Sequence, residues 1–83
     1  MEEEIFGIIV DIPEGVKPMS KYKGITRNYL IGKKFKAIEH SWTKSHLEDN
    51  VNMDEYRKVC GDLISKDGKE RFFQIDSAKI SRI

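Results

Sequence analysis

The sequence predicts a small, mainly β domain. We expect a strongly bent antiparallel sheet or a partly open barrel of the SH3-like or OB-like kind, with one short helix. Three observations predict this fold class. The chain has about five or six short segments rich in strand-forming residues, most of them are separated by short turns, and 83 residues leave room for only one thin core. The alternative is an α+β fold with a helix packed on an antiparallel sheet. We expect a single domain over residues 1–83.

The first predicted strand covers residues 4–12, which are dense in Ile, Val and Phe. Its apolar side chains fall on both faces, with Phe6, Ile8, Val10 and Ile12 on one and Ile5 and Ile9 on the other. Such a strand belongs near the middle of a sheet or beneath a helix. Pro13 and Gly15 then end the strand, and residues 13–24 form a long polar connection.

Two further strands are predicted over residues 25–31 and 33–42, separated by Gly32. The alternation of the second one slips between Ala37 and Ile38, which indicates a bulge. The polar residues that follow, 43–52, are predicted to form a loop.

A short helix is predicted over residues 53–60. Asn52 followed three residues later by Glu55 is typical of a capped helix start, and Gly61 is suited to ending the helix in the left-handed conformation. About two turns of helix depend on packing against a sheet to be stable. The rival interpretation is a strand over residues 56–65.

The C-terminal third predicts a hairpin between residues 62–65 and 70–76, joined by a type I′ turn at Asp67 and Gly68. A last short strand follows over residues 78–83. The run Arg71-Phe72-Phe73-Gln74-Ile75-Asp76, with Ile80 shortly after it, resembles the closing strands of small Sm-like or SH3-like regulatory domains. The resemblance is confined to these residues, so no functional residue is carried over from it.

The start of the chain and its cysteine content indicate a cytoplasmic protein. Acids occupy positions 2–4, where a secretory signal carries bases, and the apolar run 5–10 is too short for a signal core or a membrane span. Cys60 is the single cysteine, so no internal disulfide can staple the domain. We therefore expect no membrane association.

The residue types of nucleophilic and metal chemistry are present without a recognisable arrangement. Cys60, His40 and His46 fit no catalytic signature, and the six-residue spacing of the histidines matches no zinc motif. The glycines are scattered and form no phosphate-binding loop. The sequence therefore predicts no enzyme, no cofactor and no metal site, with Cys60 as a small buried hydrophobe.

The most informative feature is a basic segment. Residues 16–38 contain seven Lys and Arg and no acid, although the net charge of the chain is only +1. Tyrosines lie among these cations, and such a mixture neutralises phosphates and stacks on bases. We predict a non-enzymatic binding module that engages an acidic partner, nucleic acid in particular, through Lys21, Lys23, Arg27, Tyr29, Lys33, Lys34 and Lys36. Tyr22 is a second stacking candidate. In the plainer interpretation the lysines form a solvated face that prevents edge-to-edge association.

The alternative function is a small protein-binding regulator or inhibitor, of the sort that a phage or mobile element encodes, acting without nucleic acid. Its interface includes Trp42, Glu48 and Asp49. Residues 1–15 carry five acids and no base, and residues 39–56 carry five acids and one Lys, so these segments suit a basic partner. The same segregation of charge is compatible with a homo-oligomer.

Overall fold

The strands of this protein close into an antiparallel barrel. The structure is a computed structural model that describes residues 4–49, 54–64 and 67–83. Its elements are β1 Phe6–Asp11, α1 Arg27–Leu30, β2 Lys34–Ala37, α2 Trp42–Asp49, β3 Arg57–Ile64 and β4 Glu70–Arg82. The strands pair in the order β1-β2-β3-β4, and β4 pairs back onto β1. The predicted mainly β fold class, a small antiparallel barrel, is confirmed.

Strand β4 closes the barrel. Residues 70–78 pair with β3, and residues 79–82 pair with β1. The register shifts once in each pairing, with an extra residue in β1 between Ile9 and Asp11 and an extra residue in β4 between Ile75 and Ala78. Such bulges increase the local twist and bend of a strand, so they allow one long strand to serve two neighbours.

The prediction of two separate strands over residues 70–76 and 78–83 is therefore wrong. The chain continues as one strand through Ser77 and Ala78, and the Ala78 side chain is fully buried. A small buried residue at the bend keeps the strand close to the core without a turn. The expected strand over residues 4–12 is confirmed as β1, which is paired on both sides.

The core is organised around two aromatic rings. Phe35 of β2 and Phe73 of β4 are fully buried and meet edge to face, with ring centroids 5.5 Å apart. A Cβ atom on Gly61 would lie 2.6 Å from Cδ2 of Phe35, and one on Gly7 would lie 3.0 Å from its Cζ. These two strand positions therefore carry glycine because the Phe35 ring occupies the space of a side chain.

The expected strand over residues 25–31 is wrong, because Arg27–Leu30 of this segment form one helical turn, α1. The Thr26 hydroxyl accepts the Tyr29 N–H at 3.3 Å and caps the turn. Leu30 is fully buried, and the Arg27 side chain donates from Nε to the Ile12 carbonyl at 2.8 Å. A cap and one buried anchor thus outweigh the β preference of the flanking isoleucines.

The expected strand over residues 33–42 is confirmed only at its start, since β2 ends at Ala37. The slip in its alternation, interpreted as a bulge, marks the end of the strand. A turn follows in which His40 has a φ of 60°. The Ser41 hydroxyl then accepts the Lys44 N–H at 3.1 Å, which caps the next helix.

The helix and the strand between residues 42 and 64 both lie at positions other than the predicted ones. The expected loop forms α2. The expected helix over residues 53–60 is wrong, because residues 54–56 are not helical and strand β3 begins at Arg57, which confirms the rival interpretation. Asn52 and Met53 lie outside the described residues. Val59, Gly61 and Leu63 alternate toward the core, so Gly61 lies inside a strand instead of ending a helix.

Helix α2 covers the edge of β3 that β2 leaves unpaired. Pairing with β2 stops at Gly61, and the next N–H, that of Cys60, donates to Oγ1 of Thr43 at 3.0 Å. Thr43 and Leu47 are the buried side chains of the helix. The Thr43 hydroxyl thus replaces a strand partner, and Cys60 is buried beneath it as predicted.

The connection over residues 13–24 covers the other exposed edge. Met19 and Gln74 of β4 exchange two backbone hydrogen bonds, of 2.7 and 2.9 Å. The Ser20 hydroxyl donates to the Phe72 carbonyl at 2.7 Å. This half of β4 is therefore protected on the side that does not pair with β3.

The predicted C-terminal hairpin is confirmed by the pairing of β3 with β4. Gly68 has a φ of 79°, a conformation that glycine adopts without strain. Residues 65 and 66 lie outside the described residues, so the type I′ assignment stays a prediction.

We expect Gly61→Ala to destabilise the barrel by about 1–3 kcal/mol, because its Cβ overlaps the Phe35 ring and the Lys36 carbonyl lies 3.0 Å away. The free energy of unfolding is measured by urea denaturation of this variant, of Phe35→Leu and of the double variant. The smaller side chain at position 35 should relieve part of the clash. The double variant should therefore lose less free energy of unfolding than the sum of the losses in the two single variants. Strict additivity would contradict this account.

We expect Thr43→Val to destabilise the protein by about 1–3 kcal/mol, since the buried Cys60 N–H loses its acceptor. Thr43→Ser is the matched control, because it keeps the hydroxyl. Denaturation curves give the free energies of unfolding, and hydrogen exchange at the Cys60 amide gives the local effect. Equal stabilities of the Val and Ser variants would show that the hydrogen bond contributes nothing.

Candidate functional site

A groove opens at the end of the barrel where β3 finishes and β4 begins. Its volume is about 460 Å³, and it is lined by Tyr29, Gly32, Lys33, Lys34, Leu63, Ile64 and Arg71. Three of these side chains are cationic, one is aromatic and two are aliphatic. Among the described residues that line it, none is acidic. The groove therefore combines positive charge with apolar surface.

Tyr29 is held at the groove by helix α1. Leu30 is buried while Tyr29 remains 45% exposed, so the turn is anchored by one residue and presents the other. The Lys33 ammonium lies 4.9 Å from the centroid of the Tyr29 ring. This distance is within the range of a cation–π contact, so the two predicted site residues form one unit.

Tyr22 extends the site beyond the groove. Two cations lie near its ring, with Lys21 Nζ 5.3 Å and Arg71 Cζ 5.7 Å from its centroid. The Ser20 hydroxyl accepts the Tyr22 N–H at 3.2 Å while it donates to β4. Tyr22 and Lys21 are therefore fixed to the barrel although they belong to a long connection.

Arg71 is the site residue that sequence reasoning missed. It alternates with Phe73 and Ile75, which are fully buried, so it projects from the core-facing side of β4 at the open end of the barrel. Its Nη2 lies 3.3 Å from Oδ2 of Asp67. A cation on the same strand face as two core residues is the signal in the sequence that points to such a position.

Two predicted site residues have other partners. Lys36 forms an ion pair with Glu70, whose carboxylate raises the pKa of the Lys36 ammonium. The guanidinium of Arg27 donates to the Ile12 carbonyl and to Asn28 Oδ1. Lys36 and Arg27 do not line the groove. The structure therefore brings together only part of the predicted basic set.

The remaining members of the predicted set divide in the same way. Lys33 and Lys34 line the groove. Lys21 does not line it but contacts the Tyr22 ring, which Arg71 of the groove also contacts. Lys23 is exposed in the connection and does not line the groove.

Trp42 lies at a second groove, away from the first. This groove of about 310 Å³ is lined by Trp42, His46, Arg57 and Lys58, and Trp42 is 49% exposed. Partial burial and the charge of Arg57 lower the pKa of His46, while Asp49 and Glu55 oppose this effect. The groove thus holds one aromatic ring beside two cations.

The predicted protein interface is divided by the helix. Trp42 and Asp49 are seven residues apart and share a stripe of α2. Glu48 lines a different groove with Lys44 and Ser45. Trp42 and Glu48 therefore do not form one surface.

No metal centre is formed by the described part of the chain, which contains no group of three or more His, Cys, Asp or Glu side chains suited to hold an ion. Neither helix within residues 4–49, 54–64 and 67–83 has the length and apolarity to cross a membrane. No protein-family model, curated protein or solved structure matches this chain.

Proposed function

We propose that this protein is a non-enzymatic binding module that engages an acidic partner, nucleic acid in particular, at the groove beside Tyr29. The observation that supports the proposal is the lining of the groove. Lys33, Lys34 and Arg71 surround an exposed tyrosine and the apolar Ile64, and no described lining residue is acidic.

The chemistry of this lining suits phosphate and base together. Lysine ammonium groups act as point charges for phosphate, and the arginine fork binds two phosphate oxygens at once. An exposed aromatic ring offers a surface on which a base stacks. Because the net charge of the chain is only +1, long-range attraction is weak and binding depends on these local contacts.

We expect Lys33→Glu with Lys34→Glu to weaken oligonucleotide binding and to flatten its dependence on salt, since two phosphate contacts are lost. Fluorescence anisotropy with labelled single- and double-stranded oligonucleotides at about 50 and 200 mM salt measures both effects.

The matched control is Lys58→Glu with Lys79→Glu, which makes the same change in net charge outside the groove. It should leave affinity nearly unchanged. Equal affinities of the wild type and the folded Lys33/Lys34 variant would contradict the proposal, as would the absence of binding at the lower salt concentration.

The second candidate function is that of a protein-binding regulator, and the half-exposed Trp42 in its own groove favours it. Exposed tryptophans are frequent anchors of protein interfaces. Asp49 lies on the same stripe of α2, and Arg57 and Lys58 flank the ring. Such a surface suits a partner with an apolar anchor point and mixed charge.

This second function predicts that Trp42→Ala abolishes capture of a defined protein partner from a nuclease-treated lysate. Asp49→Lys should weaken the complex more than Glu48→Lys, because only Asp49 shares the stripe of Trp42. The Lys33/Lys34 double reversal should leave the complex intact. A complex that survives Trp42→Ala but is lost with the lysine variant would assign the protein partner to the first groove.

A further inference from the structure

Shared lining residues and ring contacts link the groove beside Tyr29 to another groove on the barrel. This other groove, with a volume of about 560 Å³, is lined by Met19, Ser20, Lys21, Phe72 and Gln74. Phe72 is 42% exposed there. Because Lys21 lines this groove and also contacts Tyr22, it connects Phe72 to the tyrosine.

Arg71 links Tyr22 to the groove beside Tyr29. Its Cζ lies 5.7 Å from the centroid of the Tyr22 ring, and Arg71 also lines the groove together with Tyr29. Lys33 follows, 4.9 Å from the Tyr29 ring. Shared grooves and cation–ring contacts therefore link these residues in the order Phe72, Lys21, Tyr22, Arg71, Tyr29, Lys33, in which rings and cations alternate. We name this set the aromatic–cation track.

From this alternation we infer that the acidic partner is a single-stranded nucleic acid whose bases stack on the three rings while its phosphates meet the cations between them. The inference rests on the proposed function and specifies its ligand. A single strand repeats one planar base and one negative charge per nucleotide, which is the pattern of the track. In a duplex the bases are paired and stacked on each other, so the rings would have no partner.

The track is built on supported backbone. Ser20 bonds both the Phe72 carbonyl and the Tyr22 N–H, and Met19 exchanges two hydrogen bonds with Gln74. Tyr29 is held by the capped turn of α1. The backbone that carries the three rings is thus held before a ligand binds, which lowers the entropy lost on binding.

The track predicts a short footprint and a preference for unpaired bases. In anisotropy titrations, oligothymidylates of about two, four and eight nucleotides should bind with affinity that rises to about four nucleotides and only slowly beyond. A duplex of about the same length as the longest strand should bind at least roughly tenfold more weakly.

Substitutions of the rings test the stacking directly. Tyr22→Ala and Tyr29→Ala should each weaken single-strand binding roughly five- to 100-fold, whereas Tyr22→Phe and Tyr29→Phe should retain most of the affinity. The matched control is Tyr56→Ala, because Tyr56 is 43% exposed and has Lys79 Nζ 5.0 Å from its ring but is not part of the track. Its affinity should stay unchanged, with thermal unfolding confirming that each variant folds.

The outcomes separate this inference from the proposed function. Duplex affinity equal to single-strand affinity, or tyrosine variants that bind like the wild type, would overturn the track. If the Lys33/Lys34 reversal still weakened binding in that case, the proposed function would stand. Absence of binding to either form of nucleic acid at the lower salt concentration would overturn both.

Discussion

The structure depends on the packing of Phe35 against Phe73 inside a barrel of only four strands. The edge-to-face contact fills the interior, and the rings leave no room for side chains at Gly7 and Gly61. Strands around so small a core must bend strongly, and bulges in β1 and β4 supply part of that bend. Closure by β4 then follows, since one bent strand reaches both β3 and β1.

Closure of the barrel leaves two stretches of strand edge, and the segments that cover these edges carry the candidate binding residues. Helix α2 covers the start of β3 through Thr43, and it presents Trp42 to solvent. The connection over residues 13–24 covers part of β4, and it positions Lys21 and Tyr22. Protection of the edges and presentation of a binding surface are therefore achieved by the same hydrogen bonds, one accepted by the Thr43 hydroxyl and two exchanged between backbone groups of Met19 and Gln74.

Charge on this protein is divided by local pairing. Lys36 belongs to the basic segment, but its ammonium is paired with Glu70 and lies near Asp62, whose pKa is raised by burial. Lys33 and Lys34 instead face a groove without acidic lining among the described residues. A chain of net charge +1 can thus present a positive groove, because no described lining residue is acidic and Asp67 contacts only Arg71 among the three lining cations.

The sequence by itself determined the β class, strand β1 and the C-terminal hairpin, because alternation and turn residues are local properties of the chain. Only the tertiary structure decided that Gly61 lies in a strand, since that choice depends on the Phe35 ring packed against it. The tertiary structure also decided which cations lie beside the tyrosines. Arg71 lies near Tyr22 and in the groove of Tyr29 only because β4 brings it to the end of the barrel. Residues distant in sequence become neighbours through strand pairing, and no local pattern records that pairing.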